Sequence, residues 1–124
     1  MWGITARGVR LGDGRRTGRL LHAGLARIAV RGPVEHAVLD LSGELDFSAA
    51  SVAVEVVRGV SHHIVSIDLA GLEFVDTAGA RAIEQIRAER TQRHGDRPAL
   101  IGVSPAVERT LRLVRTRQAQ LQTR

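Results

Sequence analysis

The sequence predicts an α/β protein, one small domain built on a mixed β-sheet of about four strands with helices packed on it, in the order β-β-α-β-α-β-α. Three observations carry that expectation. Two segments of period-two apolar alternation flank a Gly-Pro turn at 32 and 33. Two short, nearly continuous apolar runs follow at 64–69 and 99–103. Segments of helical periodicity alternate with these runs, and 124 residues suit one ordinary domain.

Residues 1–22 hold five arginines and glycines at 3, 8, 12, 14 and 18. That is too much glycine for a helix, with little alternation for a strand, so the segment is expected to be a flexible basic N-terminal arm, dispensable for folding. The domain proper is expected over 23–115. Ala26, Ile28 and Val30 alternate with Arg27, Ala29 and Arg31, and Ala37, Leu39 and Leu41 alternate with Val38, Asp40 and Ser42. Gly32-Pro33-Val34-Glu35 between them is turn chemistry, so the two segments predict a hairpin.

After Gly43-Glu44-Leu45-Asp46, Ser48 reads as a helix N-cap, with Ala49, Val52, Val56 and Val60 as the apolar stripe of a helix that ends near Gly59. Residues 64–69 are apolar except Ser66 and Asp68, as expected for an interior strand. The stretch GLEFVDTAGARAIEQI (71–86) then stops at an acid, a hydroxyl and a glycine before turning helical. In the plainest reading Thr77 caps that helix, whose Ala82, Ile83, Ile86 and Ala88 are set among Arg81, Glu84, Arg87, Glu89 and Arg90; Gly95 closes it before Pro98. ALIGV (99–103) reads as a short buried strand. Ser104-Pro105 is a helix start, because the serine oxygen accepts an orphan N–H and proline has none to lose. Val107, Leu111 and Val114 form the buried stripe of the last helix, with Arg109 and Arg112 pointing away. Residues 116–124, with only Leu121 to bury, are expected to form a frayed or unstructured basic C-terminal tail.

Composition narrows the chemistry. Aromatics are Trp2, Phe47 and Phe74 alone, so the core is aliphatic. The absence of cysteine excludes disulfides, thiolate metal sites and a cysteine nucleophile, and fits a reducing, cytoplasmic setting. No apolar run reaches the length of a membrane span. All 18 basic residues are arginine, and the net charge is +5. Its distribution matters more than its total: residues 1–22 carry +4 and 109–124 carry +5, whereas 23–108 carry −4. An acidic body with basic ends is a poor footprint for duplex DNA, so no specific DNA binding is expected.

The histidines at 22, 36, 62, 63 and 94 show no metal-ligand spacing and read as solvated loop residues. Without lysine there is no Walker A loop, and Gly102-Val103-Ser104-Pro105 lacks the second glycine of a nucleophile elbow. Asp68 lacks the paired acids and the lysine that a receiver-type phospho-acceptor would need. Nothing here predicts an enzyme, a metal or a bound cofactor.

Two stretches remain, LDLSGELDFSAA (39–50) and IDLAGLEFVDTAGARAI (67–83), and in their order and spacing they resemble the STAS domain of anti-sigma factor antagonists. The following GVSPAVERTLRLV (102–114) is similar to that family's next element. The resemblance covers roughly 24–115. It implies a partner switch in which an anti-sigma factor, itself an ATP-dependent serine/threonine kinase of the GHKL type, is bound by the unphosphorylated antagonist and released on phosphorylation, with a serine/threonine phosphatase resetting the state. ATP and magnesium would belong to the kinase.

By the same resemblance Thr77 is the phospho-acceptor, surrounded by Gly43, Glu44, Asp46, Asp76, Ala78 and Gly79. Thr77 stands where serine is commoner in the family, and Ala78 removes a second hydroxyl. The family commonly carries a further strand and helix near its C-terminus, for which little sequence follows Val114. The resemblance extends to a small STAS subunit of a lipid-transport ABC ATPase complex. From a different class, the basic ends suit a stressosome-type or nucleic-acid-associated scaffold. No oligomeric state is implied.

Overall fold

Gly32 turns the chain back through the left-handed region at φ 97°, and the two alternating segments it joins pair as expected. The structure is a computed structural model that describes residues 6–11 and 16–122, with side chains from Leu21 to Leu121. β3 (Ala26–Arg31) and β4 (Ala37–Leu45) are antiparallel, with Ile28 opposite Leu41 and Val30 opposite Leu39, all four buried. From β4 the chain runs through α1 (Phe47–Arg58) into β5 (Ile64–Val75), then through α2 (Thr77–His94) into β6 (Ala99–Ile101) and out along α3 (Pro105–Gln122). The β4–β5 and β5–β6 pairings are parallel, as two helical crossovers require.

Two further strands precede the hairpin, β1 (Ala6–Leu11) and β2 (Arg16–Ala23), giving a six-stranded sheet in the order β1-β2-β3-β4-β5-β6. This corrects the expectation of a flexible arm over 1–22 for residues 6–11 and 16–22; residues 1–5 and 12–15 lie outside the described residues. β2 pairs antiparallel with β3, with Leu21 opposite Ile28 and Ala23 opposite Ala26. Leu21 and Ala23 are buried, so the end of that segment belongs to the core. Glycine lowers local strand preference, but pairing to an existing edge outweighs it.

All three helices contribute to one apolar cluster with the inward face of the sheet. The opposite face is polar and held by ions. Asp40 and Asp68 stand opposite one another in register. Arg31 joins them, donating from Nε to Asp40 at 2.7 Å and from a terminal nitrogen to Asp68 at 3.1 Å. That clamp gives the strand acids Asp40 and Asp68 a structural role.

The helix faces differ in detail from the sequence pattern. α1 buries Ala49, Ala50, Ala53, Val54 and Val57, while Val52 and Val56 are only half-buried, so the inward stripe is the alanine-rich one that lets the helix sit close to the sheet. On α2 Ala82, Ile83 and Ile86 are buried as expected and Ala88 is exposed, but Glu84 and Arg90 are buried too. β6 is an edge strand with Ala99 and Ile101 exposed, which corrects the expectation of a buried one. α3 keeps the Val107, Leu111 and Val114 stripe and the Ser104 cap, whose hydroxyl accepts from the Val107 N–H at 3.2 Å. It continues to Gln122, so the expected tail is helical through most of its length, with good helix formers sustaining it beyond the last buried residue. His62, His63 and His94 are half-buried, with the rings of His63 and His94 4.4 Å apart, and are not the freely solvated residues expected.

α1 and α2 are tied at one end by Glu89, which accepts from Arg58 at 2.9 and 2.7 Å and from Gln85 at 3.1 Å. The Arg58 bonds, foremost, hold its carboxyl down at about 2 against an ordinary 4.5. The folded value is the lower one, so this contribution to stability is complete above about pH 4.5 and is lost as pH falls towards 2. A Glu89→Gln variant should therefore show a flatter acid limb over that window in pH-dependent urea unfolding. The difference should shrink in high salt, because both partners are solvent-accessible.

Candidate functional site

Leu45 and Val75 are register partners at the carboxyl ends of two adjacent parallel strands. Each is followed by an aspartate and then a helix, so α1 and α2 start side by side. Asp46 and Asp76 adopt the same extended backbone, with φ −108° and −99° and ψ −174° for both. Each caps its own helix: Asp46 accepts from the Ala49 N–H at 3.1 Å and Asp76 from the Gly79 N–H at 2.8 Å. Asp76 also uses its second oxygen to accept from the N–H of Phe47, the first residue of the neighbouring helix, at 2.9 Å. One carboxylate thus satisfies the exposed donors of two helix starts and fixes their spacing.

The caps are therefore Asp46 and Asp76, where Ser48 and Thr77 were expected. Ser48 instead donates its hydroxyl to Asp46 at 2.7 Å. That bond, helped by the backbone donor of Ala49, holds the Asp46 carboxyl below its ordinary range. The consequence for Thr77 is chemical. It is the first residue of α2, exposed to solvent, and its hydroxyl makes no hydrogen bond among the described residues.

The remaining residues expected around Thr77 divide into two kinds. Glu44 is half-buried, one step before Leu45, and pairs in register with Phe74. Gly43 and Gly79 are buried and Ala78 is half-buried, so they expose little surface. Gly43 is buried at φ 81°, where a Cβ would lie 2.3 Å from the Leu25 carbonyl oxygen. Gly79 is buried against Leu45, and Ala78 packs partly into the core. Gly79 lets the start of α2 approach the ends of β4 and β5, and Gly43 lets β4 approach the backbone of Leu25.

The sequence reading missed the two phenylalanines. Phe47 is 81% exposed and Phe74 49%, beside the capping acids, in a chain with no other phenylalanine. The available signal was position: Phe47 directly follows Asp46 and falls outside the apolar stripe of its helix. Exposed aromatics such as these suit a surface that meets a protein partner. The described residues hold no group of His, Asp and Glu able to bind a metal ion.

The STAS domain model matches residues 27–119. The chain belongs to the STAS domain family. The match spans β3 to α3, so the βα junctions of Asp46 and Asp76 both lie within the STAS domain. No curated protein matches the chain. No described helix is long and apolar enough to cross a membrane.

Proposed function

We propose that this STAS protein is an anti-sigma factor antagonist that works as a partner switch in the cytoplasm. Its unphosphorylated form binds an anti-sigma factor that is also a serine/threonine kinase of the GHKL type. Phosphorylation of Thr77 releases that partner, and a serine/threonine phosphatase restores binding. The γ-phosphoryl group of ATP passes to Thr77 Oγ1, the hydroxyl proton is lost and ADP leaves; nucleotide and magnesium are held by the kinase, and this chain catalyses nothing.

The observation that carries the reading is the uncommitted hydroxyl of Thr77, exposed at the start of α2 directly after the capping Asp76. Because Asp76 does the capping, modification of Thr77 removes no structural bond. A phosphate brings a charge of about −1.5 to −2, and the helix start favours it by about 0.3–1 kcal/mol. The domain should therefore stay folded while its surface changes. A hundredfold loss of partner affinity needs only about 2.7 kcal/mol, which desolvating a dianion in an interface formed around a neutral hydroxyl readily supplies.

Incubation with the kinase and ATP should add one phosphate, located at Thr77 by mass spectrometry. Thr77→Ala should abolish it while changing stability by less than about 0.5 kcal/mol, as for a surface residue that is not the cap. Thr77→Glu should weaken kinase binding in part, having one charge and a different shape. Asp46→Ala should impair phosphorylation or partner recognition. Phosphate at another residue in Thr77→Ala, or wild-type affinity in Thr77→Glu, would overturn the switch. Capture of an ABC ATPase subunit or of RNA in a pull-down, with no kinase, would favour the transport-subunit or scaffold roles.

A further inference from the structure

We propose that Arg81 and Arg117 form an internal receptor for the phosphate on Thr77, so that phosphorylation clamps the start of α2 to the outer half of α3. The inference rests on Thr77 being the phospho-acceptor. Thr77, Arg81, Leu113, Val114 and Arg117 line one groove of about 240 Å³ between the two helices. Arg81 lies four residues after Thr77, one turn along the same face of α2. Arg117 faces the groove from α3, and no carboxylate lines it.

Charge pairing leaves these two guanidiniums uncommitted, as it does Arg109, which does not line the groove. On α2 and α3 the carboxylates are already engaged: Glu84 with Arg115 at 2.9 Å and Arg97 at 3.7 Å, Glu89 with Arg58 at 2.7 Å, and Glu108 with Arg115 at 3.7 Å and Arg112 at 3.9 Å. Arg81 and Arg117 make no ion pair or hydrogen bond among the described residues. Asp76, the acid next to Thr77, directs its oxygens to the N–H groups of Gly79 and Phe47. The groove therefore presents two uncompensated cations beside the hydroxyl. A phosphate there takes charge-assisted bonds from both arginines, in the bidentate geometry that guanidinium favours. Two free cations on the unmodified surface become one neutralised cluster, and the exposed Leu113 is flanked by the closed clamp.

The test installs phosphothreonine at position 77 during translation, which makes it independent of any kinase. The second ionisation of the phosphate, ordinarily near pH 6, is followed by phosphorus NMR in the full-length protein. In the wild-type background its midpoint should lie at least about half a pH unit below that of Arg81→Gln/Arg117→Gln, since nearby cations favour the dianion. The α2 N-terminus acts equally in both proteins and cancels in the comparison. Arg109→Gln removes a cation on α3 that does not line this groove, and should leave the midpoint unchanged. Equal midpoints in the wild-type and doubly substituted proteins would overturn the proposal, as would an equal rise in Arg109→Gln. A kinase that fails to modify Thr77 would overturn the partner switch alone and leave this result intact.

Discussion

Gly79→Ala is expected to destabilise the domain by about 3 kcal/mol or more, a fall of roughly 10–20 °C in Tm for a domain of this size. Gly79 sits in the first turn of α2, where that helix passes the end of β4. A Cβ there would lie 1.9 Å from the carbonyl oxygen of Leu45 and 2.8 Å from a methyl of Val75. Neither neighbour can yield cheaply. The oxygen is main chain at the end of a central strand, one residue before the acid that caps α1, and the methyl belongs to its register partner. Relief requires α2 to move away, and such a movement also lengthens the bond from the Phe47 N–H to Asp76 that couples the two helix starts. Gly59→Ala is the matched control. Its φ is −78°, and its Cβ would meet only the Val56 carbonyl oxygen at 3.5 Å, so it should be neutral or slightly stabilising. Urea unfolding of both variants checks the pair. Equal midpoints would show that the junction is softer than its packing implies.

How much of this was legible in the sequence depends on whether the deciding interaction is local. The hairpin, the parallel strands, the closing glycines at 59 and 95 and the Ser104-Pro105 helix start rest on short-range periodicity and capping, and all of them occur in the structure. The capping residues at the site were displaced by two positions at α1 and one at α2. In Asp46-Phe47-Ser48 and Asp76-Thr77 an acid and a hydroxyl are both competent caps, and local chemistry does not choose between them. The choice falls to packing across the junction, where Asp76 serves Phe47, 29 residues distant. Thr77 and the acids near it stood out in the sequence, but Arg81 and Arg117 read only as the polar side of a helix and part of a basic tail. Their shared groove exists because α2 and α3 lie against each other. β1 and β2 were hidden for a related reason. Glycine-rich segments carry little strand signal of their own and become strands by pairing, β2 with β3 and β1 with β2.

Arg90→Ala should cost about 3 kcal/mol or more, an effect comparable to a core truncation although the residue is charged. Sequence periodicity places Arg90 among the polar positions of α2, yet it is only 3% exposed. Its guanidinium lies under the end of α1 and donates to the carbonyls of Val57 at 3.2 Å and Val60 at 3.0 Å, and to that of His62 as well. These carbonyls belong to the last turn of α1 and the chain that follows; that of Val57 also accepts from the Val60 N–H at 3.0 Å, so Arg90 matters most at Val60 and His62. Burial, and after it the neighbouring Arg93, lowers the Arg90 pKa from its ordinary value; a guanidinium nonetheless stays protonated in proteins, so the group is a cation at the negative end of the α1 dipole. Truncation removes the Arg90 donor from the His62 carbonyl, weakens the satisfaction of the other two, and opens a void where the side-chain stem packs. Arg93 also reaches Val60, at 3.0 Å, and offsets part of the loss there, but it does not reach Val57 or His62. Arg90→Met separates the two causes: it restores most of the volume and none of the donors, so it should recover only a minor part of the stability. Hydrogen exchange should then locate the damage in the last turn of α1 and the loop into β5, with the amides at the Asp46–Asp76 junction protected as in the parent protein. Loss of protection at the junction as well would show that the two ends of α1 unfold as one unit and that Arg90 supports the partner surface from the opposite end of the helix.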